Sequence, residues 1–147
     1  MNKQVNKPQI SDSRDKFPAK AKEVDAYTSA VKELFFINNP HLKSGTPSAE
    51  KPLAEFLSSH NTPSVWIYFP WRETVVHTVS EDIYLKLRTA RNRNVITESE
   101  QKKYRETFVG VAGLSVGSAV LSALVIGGAP KKLKIADFDT LEITNLN

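Results

Sequence analysis

The sequence predicts an α/β protein, and three observations carry that prediction. Thr107 to Ala112 is rich in β-formers and runs into a glycine-bearing turn, Gly113 to Gly117. An apolar stretch without proline, Val116 to Ile126, reads as a buried helix, which Gly127, Gly128 and Pro130 stop. A second short apolar run, Leu133 to Ala136, ends in Asp137. Strand, glycine turn, helix, strand and acid form the first half of a nucleotide-binding βαβ unit. The predicted fold class is a Rossmann-like doubly wound sheet, of which only the first βαβ unit is present. A small α+β N-terminal extension precedes it.

Four segments follow in order. Residues 1–22 are polar and mixed in charge, with Pro8 and Pro18, and are expected to form a flexible tail. Residues 23–79 make the α+β extension. Within it Val24, Tyr27, Val31, Leu34 and Phe35 lie at three-and-four spacing and predict a helix ended by Asn38, Asn39 and Pro40. A second helix is expected from Ala49 to His60, with Ser48 as cap and Pro52 in the first turn. Val65–Phe69 and Thr74–Val79 are strand-like, and the short connection between them predicts a hairpin. Trp66, Tyr68 and Trp71 could form a binding surface, but are expected in core and hairpin packing. No histidine has a partner nearby in sequence. Residues 80–106 form a helical linker. Ser80 caps a helix opening with Glu81 and Asp82, and Thr97 to Glu100 has the capping-box form T-x-x-E. Residues 107–147 open the nucleotide-binding domain.

Charge and composition narrow the function. The net charge is +4, and the excess lies between Tyr84 and Arg105, where seven basic residues face two acids. Such a patch favours polyanions, or is a solvated helix face. It lacks the basic-aromatic interleaving expected of nucleic-acid binding, so nucleotide phosphate is the better-supported anion. The absence of cysteine excludes disulfides, a thiolate metal site and a cysteine thioester within these residues. No run of eighteen apolar residues and no hydrophobic signal core is found, so a cytoplasmic protein without membrane partners is expected.

The chemistry of the glycine turn lies in the backbone. Glycines let phosphate approach, and a helix N-terminus offers free N–H donors and a positive dipole end. Asp137, 24 residues after Gly113, is placed to accept hydrogen bonds from ribose hydroxyls. The glycines at 110, 113 and 117 do not spell G-x-G-x-x-G, and on their own they also suit a plain crossover.

The tail I-A-D-F-D-T-L-E-I-T-N-L-N resembles the ThiF/MoeB family of adenylating enzymes, which includes the ubiquitin-activating enzymes. Asp137, Asp139, Leu141, Thr144, Asn145, Leu146 and Asn147 fall in order on that family's D-x-D-x-V-x-x-S-N-L-N pattern. Arg88 to Asn92 stands where the family has R-Y-x-R-Q. Ala112, Leu114 and Ser115 replace three glycines of the family's turn. The resemblance implies adenylation of a carboxylate with ATP, the carboxylate being the C-terminus of a ubiquitin-like or sulfur-carrier protein. It implies Asp137 on the ribose, Asn145 on the phosphates, and Arg91 as the catalytic arginine offered to the γ-phosphate across a homodimer. Gly113, Ser115, Gly117 and Ser118 would form the turn beneath the nucleotide. Plainer roles stand beside these: Asp137 capping a turn, Asn145 starting a helix, Arg91 solvated with its neighbours. The resemblance also implies an N-terminal fragment, inactive alone, with the magnesium ligand and any catalytic cysteine beyond residue 147. An NAD-dependent oxidoreductase and a non-catalytic adaptor of the same fold are the alternatives.

Overall fold

A computed structural model describes residues 7–59, 61–140 and 142–145, without the Asn145 side chain. The sequence expectations for His60, Leu141, Leu146 and Asn147 lie outside the described residues. The molecule is mixed α/β and divides into two compact units, residues 1–87 and 88–147.

The first unit is built on a four-stranded sheet of order β1-β3-β4-β2. The predicted hairpin is its centre. β3 (Ser64–Phe69) and β4 (Thr74–Val79) pair antiparallel, with Trp66 opposite His77. A 3-10 turn over Pro70–Arg72 joins them, and Glu73 closes it at φ 47. The outer strands come from residues expected to be a flexible tail or a helix start. β1 (Gln9–Ser11) pairs antiparallel with β3, and β2 (Lys22–Asp25) pairs parallel with β4. The tail expectation therefore fails for residues 7–22. Phe17 and Ala21 are buried with Val75 against Trp66 and Tyr68, and the Phe17 and Tyr68 rings lie 5.6 Å apart. Arg14 locks the segment by an ion pair with Glu23 at 2.9 Å and by donating to the Phe17 and Pro18 carbonyls.

Helix α1 spans Tyr27–Asn38, so Val24 lies on a strand and not on the helix predicted to include it. Val31, Leu34 and Phe35 form its buried side, and Phe35 meets Phe56 of α2 at 5.5 Å. Helix α2 spans Pro47–Ser58. Its start differs from expectation because proline's fixed φ suits the first helical position. Ser48 is consequently inside the helix, and Pro52 falls in the second turn, where its missing N–H leaves the Ser48 carbonyl without the usual helical donor. Helix α3 spans Glu81–Arg88, and the Tyr84 amide donates to the Ser80 carbonyl at 2.9 Å.

The second unit contains α4 (Glu98–Glu106), β5 (Phe108–Ala112), α5 (Ser115–Ile126) and β6 (Lys132–Ala136). Both bonds of the predicted capping box are present: the Glu100 amide donates to the Thr97 hydroxyl, and the Thr97 amide to the Glu100 carboxylate. β5 and β6 pair in parallel, with Val109 opposite Leu133 and Val111 opposite Ile135. A βαβ unit results, as predicted. The expectation of a buried helix does not hold: no residue of α5 is buried, and Val116 is 77% and Ile126 72% exposed. Gly117 comes close to the sheet, at a distance where a Cβ would stand 2.9 Å from Val111 Cγ1. Gly128, at φ 94, ends the helix in the left-handed conformation. Among the described residues no helix is long and apolar enough to cross a membrane.

Candidate functional site

The sequence motifs converge at the N-terminal end of α5. Parallel pairing in register brings the ends of β5 and β6 side by side, so the turn after Ala112 adjoins the acid after Ala136. Gly113 takes φ 88, which side-chain-bearing residues rarely adopt, and its amide donates to the Ala136 carbonyl at 2.8 Å. The Leu114 amide then points at Asp137 and donates to its Oδ2 at 2.6 Å. The other carboxylate oxygen accepts from the Asp139 amide at 3.1 Å. Those two backbone donors, Asp139 first and Leu114 second, hold the Asp137 carboxyl below the usual aspartate range.

Helix α5 begins at Ser115 with no side-chain cap. The Ser118 amide makes the first helical bond, to the Leu114 carbonyl at 3.2 Å. The amides of Ser115, Val116 and Gly117 precede it and have no helical carbonyl to meet. The Ser118 hydroxyl turns back to the Ser115 carbonyl at 2.8 Å. Its remaining capacity is as an acceptor, not as a donor to phosphate. Leu114 is half-buried, while Phe138 next to Asp137 is 99% exposed. Asn145 ends a 3-10 turn over Ile143–Asn145; its side chain lies outside the described residues.

Gly113, Ser115, Gly117, Ser118 and Asp137 are thus brought together. Arg91 is not. It is exposed and directly precedes Asn92, whose side-chain amide donates to the Gly127 carbonyl at 3.0 Å and to Gln101 at 2.8 Å. Arg88 donates to the Val125 carbonyl. These contacts fix Arg91 near the C-terminal end of α5, whereas Asp137 sits at the N-terminal end. A helix of 12 residues separates them, about 18 Å at 1.5 Å per residue. That span is beyond the reach of one side chain.

Comparison with known proteins adds one relative of limited extent. The chain is 43% identical over 82 residues to the uncharacterized protein MT1398 of Mycobacterium tuberculosis (strain CDC 1551 / Oshkosh). The match covers 56% of this chain and 12% of that protein, so the chain spans only a small part of the relative's length. No family model matches. No solved structure matches.

Among the described residues no group of three or more His, Asp and Glu is placed to hold a metal ion. One cluster went unseen in the sequence. His77 lies between the Trp66 ring at 4.2 Å and the Tyr27 ring at 4.6 Å, with Asp25 Oδ1 3.9 Å from its Nδ1. The three partners come from β2, α1 and β3, so local spacing carries no sign of them. Asn92 and Gln101 were likewise missed, because a C-terminal helix cap built from distant side chains leaves no local motif.

Proposed function

We propose that the second unit opens a Rossmann-like domain of the ThiF/MoeB type, and that the protein containing it adenylates a carboxylate with ATP. The observation that carries this reading is the Asp137 carboxylate held against the glycine turn at the head of α5. A strand-end acid and unpaired helix amides in one place suit a ribose joined to a phosphate chain. In the proposed reaction a carboxylate oxygen, the C-terminus of a ubiquitin-like or sulfur-carrier protein, attacks the α-phosphorus. The bond from that phosphorus to the bridging oxygen breaks, and pyrophosphate leaves. Asp137 holds the ribose hydroxyls, and the amides of Ser115, Val116 and Gly117 receive phosphate oxygens. Asn145 contacts the phosphates. Arg91, too far from its own chain's Asp137, serves the site of a second copy in a homodimer.

The turn and Asp137 alone would also suit an NAD-dependent oxidoreductase. The D-F-D…N-L-N element has no part in dinucleotide binding and favours ATP. Calorimetric titration of the full-length protein with ATP and magnesium, and separately with NAD, tests the reading. Saturable ATP binding is expected. NAD binding without ATP binding would reject adenylation. Neither ligand binding would favour the non-catalytic adaptor.

A further inference from the structure

The glycine turn is open at Gly113, its first residue. A Cβ at Gly113 would meet no atom within 4 Å, and the first residues of α5 have no side-chain cap. Side-chain contact therefore does not hold the backbone at Gly113. Two hydrogen bonds do: Gly113 amide to Ala136 carbonyl at 2.8 Å, and Leu114 amide to Asp137 Oδ2 at 2.6 Å. Asp137 also grips the loop beyond β6 through the Asp139 amide. One carboxylate joins both walls of the candidate site.

We propose that Asp137 is a positioning residue, a staple that fixes the turn at the head of α5 in the conformation that receives phosphate, before any ribose is bound. The phosphate part rests on the nucleotide reading above. The Leu114 and Asp139 amides donate to different oxygens, and a carboxylate has about four acceptor sites. Ribose hydroxyls can therefore be accepted without breaking either link. A negative group suits the head of a helix, which further favours the stapled turn.

The staple and a purely ribose-binding role differ in sign for a ligand without ribose. A carboxylate beside a polyanion repels it. If Asp137 served ribose alone, removing it would leave inorganic tripolyphosphate binding unchanged or tighter. A staple predicts the reverse. In the full-length protein, Asp137→Ala should weaken tripolyphosphate binding about tenfold or more, the scale of a lost charged hydrogen bond. Asp137→Asn, which keeps one acceptor oxygen, should fall between. Hydrogen exchange of the ligand-free protein gives a second readout. The Leu114 and Asp139 amides should exchange faster in Asp137→Ala, while the Val109 and Val111 amides of β5 stay protected and report an intact fold. Unchanged or tighter tripolyphosphate binding by Asp137→Ala, or unchanged exchange at Leu114 and Asp139, overturns the proposal. If β5 protection is lost in Asp137→Ala, the same two criteria apply to Asp137→Asn. A parent protein that binds no tripolyphosphate but shows the exchange difference rejects the nucleotide reading and leaves the staple standing.

Discussion

Asp25 works at one corner of the first unit. Its carboxylate accepts from the Thr28 hydroxyl at 2.6 Å, the Tyr27 amide at 2.8 Å and the Thr28 amide at 3.3 Å, and so caps α1. The Thr28 hydroxyl, ahead of the backbone amides and nearby His77, holds its carboxyl below the usual range. The folded value lies below the unfolded one, so this group stabilises the fold above the ordinary aspartate pKa of about 3.9. That contribution fades as pH falls through the folded value. An Asp25→Asn variant should therefore melt below the parent protein at neutral pH, with the gap closing on acidification. Thermal melts from about pH 6 down to about pH 2 check this; a gap independent of pH would assign the loss to something other than the carboxylate's charge. The contrast with Asp137 shows what a sequence can reveal at this scale. Asp137 was found because its partner turn precedes it by one βαβ unit, a spacing that physics repeats. Asp25 and His77 meet only because β2 pairs with β4, and nothing near either residue announces that pairing.

Elements whose determinants are local were read well. The capping box of α4 needs only Thr97 and Glu100, one turn apart, and both bonds form. The helix has nine residues, short enough that its ends matter. Thr97→Ala should cost about 1 kcal/mol of stability, as is usual for a lost N-cap, and Thr97→Ser should recover most of it. Denaturant unfolding measures both; equal losses in the two variants would mean that the hydroxyl is not the stabilising group. Elements with distant determinants were misread. Val24 fits the three-and-four spacing of α1, yet the register Val24 to Val76 holds it in a strand. Tertiary pairing overrode the local period. α5 has the composition of a core helix, yet none of its residues is buried. Composition reports which residues gain from burial, not whether a covering layer is at hand.

At the scale of the whole molecule, the position of Arg91 yields the sharpest functional expectation. Its anchor, Asn92, is tied to the C-terminal end of α5. If Arg91 serves a second copy, Arg91→Ala should leave folding nearly intact and remove about 2–4 kcal/mol of transition-state stabilisation, as for a lost preorganised donor. Mixing inactive Arg91→Ala with inactive Asp137→Ala should then restore activity, because one site of a mixed dimer keeps both residues. Pyrophosphate release is the measurement. A mixture as inactive as either variant, with mixed dimers demonstrably formed, rules out the shared site. The sheet order of the first unit has a consequence of another kind. Its two outer strands, β1 and β2, precede in the chain the hairpin on which they both depend. A ribosome delivers residues 9–25 first, and they must wait unpaired until Ser64–Val79 has left the exit tunnel. Synthesis arrested before β3 should leave that leading segment open to protease, and synthesis arrested well past β4 should leave it closed. β1 and β2 are made before the hairpin and folded after it.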